Sequence, residues 1–248
     1  MDDVDYRREA RLLCARLGQQ HRVLSHAVLR PGLVVARQVA WCQVRDDELT
    51  PPVDPAQHLH DRLSAAGISD AVGLLTGADL GEFVDVTRVA PGLAVRVLAT
   101  VGLDNARRAG DHWDVPPPMT GADVVPLDDA GADDEPPRKA GTINVLACAS
   151  RPLTDAALIE MLAIAVEARA MAVLEGDVVS RRSGRPATGT GTDCTVVAAP
   201  CGAPALQYAG KHTALGHLVG AAVAEAVGRG VAGWLARHPS RRGSGGAS

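Results

Sequence analysis

Apolar positions recur along this chain with two spacings, and most of the first half follows the shorter one. The runs "HRVLSHAVL" and "LVVARQVAWCQV" are strand-like, and Arg30, Pro31 and Gly32 between them are the punctuation of a hairpin. "AVGLLT", "FVDVTRV" and "LAVRVLATVG" continue the strand pattern, the last two joined across Ala90, Pro91 and Gly92. Two segments break the rhythm. Asp5 to Leu17 places Leu12, Leu13 and Leu17 on one side of a helix that Gly18 would cap. Asp54 and Pro55 open a second predicted helix, which Gly67 stops after Ala66.

The second half alternates strand and helix. "GTINVLACA" predicts a strand, followed by a helix capped by Thr154 and reaching about Leu174, with Asp155 in its first turn. That helix is apolar almost all round, which predicts burial on most sides. Glu160 and Glu167 share one stripe of it and Arg169 points nearly opposite, so these charges need partners elsewhere. After "RPATGTGTD" come the strand "CTVVAA" and a last helix from about Thr213 to Ala236, rich in small residues that suit close packing. Hairpins first and strand-helix alternation afterwards predict a mixed α/β fold, a sheet or sheets flanked by helices.

Composition sets the domain organisation. From Asp111 to Lys139 the chain is proline-rich and acidic with no sustained period, so residues 111–139 are expected to form a mobile insertion in one domain spanning 1–240, with a disordered tail at 241–248. Of the 248 residues, 46% are hydrophobic but only 2% aromatic, so Val, Leu and Ala must fill the interior. A net charge of −4, with basic residues clustered only near the end, predicts no nucleic-acid partner. The acidic start lacks a secretion pattern, and Pro200, Gly202 and Pro204 interrupt the longest uncharged stretch, so a cytoplasmic protein without membrane association is expected. Homo-oligomerisation is left open. Five cysteines without a C-x-x-C pair argue for reduced thiols, and Cys194, opening an apolar strand, reads as core.

Two polar clusters interrupt the apolar pattern. In "ATGTGTD", Gly189 and Gly191 allow either positive φ or close approach to the backbone; successive N–H groups there make a nest for negative charge, and Thr188, Thr190 and Thr192 offer hydroxyls. In "YAGKHTALG", Lys211 precedes a helix start capped by Thr213, a place suited to an anion. It is no P-loop, since Ala205 and His212 stand where glycine and Ser or Thr are required. Asp193 and His212 are the candidate bases. His58 with His60, and His212 with His217, are badly spaced for shared metal ligation, so no metal site is expected.

The segments "VGLLTGAD", "GTINVL", "EARA" after a capped helix, and "ATGTGTD…YAGKHTALG" together resemble the adenosylcobinamide amidohydrolase family of corrinoid salvage, over roughly Val23 to Val227 outside the acidic insertion. The resemblance matches Thr142, Asn144, Glu167, Thr188, Thr190, Thr192, Asp193, Gly210 and Thr213 to the family pattern; Arg169 replaces an expected lysine and His217 an expected acid. It implies hydrolysis of the amide joining aminopropanol to the corrin propionate arm, releasing adenosylcobyric acid for cobalamin biosynthesis. The corrinoid is substrate, and no cofactor is implied.

Amide hydrolysis needs a nucleophile, a base, oxyanion donors and an acid for the leaving amine. The expectation is that Asp193 or Glu167 activates water or a threonine hydroxyl, Thr190 for preference, while N–H groups from Gly189 to Thr192 hold the oxyanion with Lys211. Asn105, Thr142 and Asn144 would anchor the amide-rich rim of the substrate. Two rival readings are a non-catalytic corrinoid or nucleotide binding module and a threonine-nucleophile acyltransferase acting on a smaller amide.

Overall fold

A computed structural model describes residues 4–45, 47–50, 52–112 and 141–239. Apart from Asp111 and His112, the acidic insertion lies outside the described residues, as does the tail 241–248. The elements run β1 (Asp5–Glu9), β2 (Leu12–Ser25), β3 (Gly32–Gln43), α1 (Pro55–Ala65), β4 (Val72–Thr76), β5 (Val84–Ala90), β6 (Leu93–Val101), β7 (Ala106–Arg107), β8 (Ile143–Ala149), α2 (Asp155–Glu175), β9 (Gly189–Thr190), β10 (Cys194–Pro200) and α3 (Ala214–Arg237).

One sheet carries most of the strands, in the order β4-β3-β2-β10-β8-β6-β5, with β1 paired to β2. It is mixed: β8 and β10 run parallel, as do β3 and β4, and the other pairs are antiparallel. Period-2 alternation sorts its side chains into separate cores. Val145, Ala147, Val197 and Ala199 point to α2 and α3, whereas Leu146, Cys148, Val196 and Ala198 point the other way, onto Leu13, Leu17, Trp41 and Leu74. The β1–β4 half therefore folds over the outer face of the β10–β5 half. Leu59 and Leu63 of α1 cover the far side of that first half, against Cys42 and Ala40. The result is four layers, helix, sheet, sheet, helix, with the predicted mixed α/β character.

The helix expected from Asp5 to Leu17 is instead two strands joined by a tight turn at Ala10, whose φ is 46°. Leu13, Ala15 and Leu17 alternate inward and are wholly buried between the sheets. Burial at period 2 beat the helical spacing of Leu12, Leu13 and Leu17. Gly18 does take positive φ, at 67°, but where β2 slips register against β3 between Arg16 and His21, the signature of a bulge and not of a helix end.

The other three predicted helices form with their expected caps: Asp54 accepts from Ala56 N–H, Thr154 from Ala157 N–H and Thr213 from Gly216 N–H, each contributing about 1 kcal/mol. Helix α2 is less enclosed than its composition predicts, for Ile159 is 61% exposed and Met171 44%. Helix α3 is long and apolar enough to cross a bilayer by composition, yet half of its apolar window is buried, against β6, β5 and α2.

Candidate active site at the sheet rim

The structure explains the glycine-threonine loop by its own aspartate. Neither Gly189 nor Gly191 is among the residues with positive φ. A Cβ on Gly189 would lie 2.1 Å from Asp193 Oδ2, so glycine is there because the carboxylate folds back onto the backbone. Asp193 Oδ1 accepts the Ile143 N–H at 3.0 Å and the Thr190 hydroxyl; Oδ2 accepts the Thr190 N–H at 2.9 Å and faces Arg169 Nη2 at 3.5 Å. A carboxylate has four lone-pair positions, and all four are engaged. Asp193 thus ties the loop to the first residue of β8 and to α2, and the hydroxyl proton it is placed to receive is that of Thr190. Arg169, 13% exposed at its side chain, supplies the counter-charge and also reaches Thr195 Oγ1 at 3.4 Å. His26 Nε2 lies 2.9 Å from the Asp193 carbonyl; a carbonyl only accepts, so this nitrogen carries the proton.

Around this pair the rim is built of hydroxyls and amides. Thr142 Oγ1 and Thr192 Oγ1 are 2.8 Å apart, and Thr192 also reaches the Gly141 carbonyl at 3.3 Å. Both threonines line a cavity of about 310 Å³ with Thr76, Asn105 and Leu75, walled further by Val28, Val44 and Leu49. The ends of β3 and β4 meet the beginnings of β8 and β10 there, because the sheet folds over itself. Next to Leu49 in the chain, the Glu48 carboxylate takes a two-pronged hydrogen bond from Arg11, at 2.6 and 2.5 Å. That pairing pulls the Glu48 carboxyl down to about 2.

Several expected site residues hold the scaffold instead. Thr188 Oγ1 accepts the Ala109 N–H at 2.8 Å, and β9 pairs with β7, so this end of the loop is bound to residues 106–109. Asn144 is completely buried and donates to the Leu75 carbonyl at 2.8 Å, fastening β8 to the end of β4; it does not present itself on a rim. A Cβ on Gly191 would meet only Asn105 Nδ2 at 3.8 Å and Arg107 Cγ at 3.9 Å, ordinary contact, so neither space nor positive φ demands glycine there.

The second predicted cluster does not join the first. Residues leading to α3 are bound to the entry of α2: Ala209 N–H donates to Glu160 Oε2 at 2.7 Å, and Leu206 bridges to Leu153. Asp193 stands before the other end of β10, which at about 3.3 Å per residue is roughly 20 Å long. Lys211 pairs with Glu167, both more than half exposed, in a groove of about 360 Å³ between α2 and α3. Glu167 and Arg169 lie about 200° apart around α2, so one faces that groove and the other faces Asp193. Lys211, His212 and Glu167 are therefore not placed to complete an oxyanion site or a base around Asp193, which corrects the expected convergence. Gly210 and Thr213 shape the helix start, the Thr213 hydroxyl donating to the Gly210 carbonyl at 2.8 Å. Gly216 is required there, since a Cβ would lie 2.1 Å from that carbonyl.

Cys194 is buried beneath the loop and its thiol is pushed up to about 12 by desolvation, so it is a core residue, as its place in the strand implied. Sequence reasoning missed Arg169 and His26 as partners of Asp193. The opposed directions of Glu167 and Arg169 on α2 were a readable hint of the first; nothing local signals the second.

Fold and site together define a layered α/β protein with a threonine–aspartate pair beside a cavity whose lining, among the described residues, carries no ionisable side chain. Residues 1–239 match the family described as CbiZ, adenosylcobinamide amidohydrolase, and the chain belongs to that family. A curated relative from Halobacterium salinarum, named adenosylcobinamide amidohydrolase, is 34% identical over 181 residues, covering 71% of this chain and 66% of the relative. The chain thus spans just under two thirds of that relative's length. Among solved structures, the PH0078 protein of Pyrococcus horikoshii OT3 aligns over 91% of this chain and 77% of its own with a TM-score of 0.44 and 12% identity. A Burkholderia β-aminopeptidase aligns over 90% and 78% at 0.40 and 14%.

Proposed function

We propose that this protein hydrolyses the aminopropanol amide of adenosylcobinamide, giving adenosylcobyric acid and 1-amino-2-propanol, as part of cobinamide salvage. Family membership supports the substrate class. The observation that carries the chemistry is the Thr190 hydroxyl donating to Asp193 beside the rim cavity.

Thr190 Oγ1 attacks the scissile carbonyl carbon as its proton passes to Asp193 Oδ1, and the carbonyl π electrons move onto oxygen. The main-chain N–H of Thr192 points at Thr190 Oγ1 from 3.5 Å and is assigned to the oxyanion that forms on the carbon bonded to it. Collapse breaks the C–N bond, and the departing amine takes the proton back from Asp193. Water then attacks the threonyl ester, again with Asp193 receiving and returning one proton, which frees the acid and restores Thr190. Arg169 stays charged throughout and keeps the carboxylate oriented.

The reading is tested by incubating the protein with adenosylcobinamide and identifying both products. Release of 1-amino-2-propanol together with adenosylcobyric acid supports it; recovery of intact substrate from folded protein overturns it.

A further inference from the structure

The ladder between β2 and β10 stops short of the candidate site. Its last registered pair is Ser25 with Val196, so Cys194 and Asp193 lie beyond it on that flank, whereas on the other flank β10 pairs with β8 from Cys194 onward. Ser25 marks where the chain turns: its hydroxyl oxygen accepts the Ala27 N–H at 3.3 Å, a local bond that competes with continuing the strand. His26 stands at that turn, exposed, and takes over where the ladder ends. Its ring Nε2–H donates to the Asp193 carbonyl at 2.9 Å, and its main-chain N–H lies against the Cys194 sulfur. One residue thus grips Asp193 and Cys194 together from the β2 side.

The consequence falls on the Asp193 carboxylate. Ile143 N–H holds it from the β8 side, at Oδ1, the same oxygen that accepts the Thr190 hydroxyl. The Asp193 Cα–Cβ bond turns with the peptide unit that His26 holds, so releasing that unit lets Oδ1 drift from the Thr190 hydroxyl. A shift of about 1 Å at a reacting group can cost about 10²-fold in rate. A proton carrier would have to give its proton up, but the nitrogen facing Asp193 keeps its own in the neutral and the charged ring alike, because a carbonyl only accepts.

We propose that His26 is a positioning residue for amide hydrolysis: its ring N–H, by holding the Asp193 carbonyl, keeps the carboxylate aligned with the Thr190 hydroxyl without itself exchanging a proton. The assignment rests on the Thr190–Asp193 reading above and extends it to the end of β2.

The test is steady-state hydrolysis of adenosylcobinamide by wild type, by His26→Gln, whose side-chain amide keeps an N–H donor at similar reach, and by His26→Met, which has the reach without the donor. The expected result is a kcat lowered by about tenfold or more in His26→Met with KM within about threefold, and in His26→Gln a kcat within about threefold of wild type with a kcat–pH profile of the same shape. Wild-type kcat in His26→Met overturns the proposal, as does a change confined to KM. Equal loss of kcat in both variants also overturns it, since the imidazole itself would then be moving a proton. If circular dichroism shows that His26→Met fails to fold, His26→Ala is judged by the same criteria. Absence of turnover by folded wild type overturns the proposed function and this assignment with it, whereas the other contrary outcomes remove the assignment and leave the function standing.

Discussion

The hydroxyl of Thr190 donates to Oδ1 of Asp193, and the main-chain N–H of the same threonine reaches Oδ2 of the same carboxylate at 2.9 Å. One aspartate thus fixes both the backbone and the side chain of the residue that carries the oxygen. Thr190→Ser keeps the attacking oxygen and is expected to retain turnover within about tenfold of wild type, measured as initial rate. A larger loss would show that the methyl group, not the hydroxyl alone, sets the geometry.

Asp193 and Arg169 form a nearly buried ion pair, so removing the acid strands a cation. Asp193→Ala is predicted to destabilise the fold by about 3–5 kcal/mol, read as a lowered midpoint in urea denaturation. Gly189→Ala forces a Cβ to within 2.1 Å of the carboxylate and is expected to abolish turnover while leaving α2 and α3 formed, as followed by circular dichroism. Wild-type activity in Gly189→Ala would contradict the close approach.

Lys211 and His212 lie at the start of α3, away from the loop. Lys211→Ala and His212→Ala are each predicted to leave the rate of aminopropanol release within about threefold of wild type, since an exposed ion pair such as Lys211–Glu167 contributes at most about 1 kcal/mol. A hundredfold loss in either variant would reinstate the helix start as part of the catalytic site.

Glu48 has its carboxyl held near 2 by Arg11, against an ordinary value of 4.5. A depressed carboxyl stabilises the fold fully above the ordinary value, and that contribution fades as pH falls from about 4.5 toward 2. Thermal melts of Glu48→Gln are therefore expected to show a lower midpoint than wild type at pH 7 and a smaller gap at pH 3. A constant gap across that range would rule the pair out as a source of acid sensitivity.

Most of the elements were legible because their signals are local. Asp54, Thr154 and Thr213 are N-caps that announce α1, α2 and α3, and Ala90, Pro91 and Gly92 mark the turn between β5 and β6. Asp5–Leu17 was not legible, since two adjacent leucines and a third four residues on satisfy a helix as well as two strands until the inter-sheet core chooses period 2. The site was half legible. Thr190, Thr192 and Asp193 share one loop, and Thr142 is brought to them by parallel pairing of β8 with β10, Cys194 opposite Asn144. The separation of Lys211 from Asp193 depends on the opposite faces of α2 they meet, at Glu167 and Arg169, and on the opposite ends of β10 their segments adjoin, long-range relations that no local spacing encodes.

The central claim is that Thr190 supplies the oxygen that attacks the amide. It is tested most directly by the initial rate of 1-amino-2-propanol release from adenosylcobinamide by wild type and by Thr190→Ala of matching circular dichroism and melting temperature. The account predicts a loss of at least about 10³-fold in kcat with binding retained. Turnover by Thr190→Ala within tenfold of wild type would contradict it.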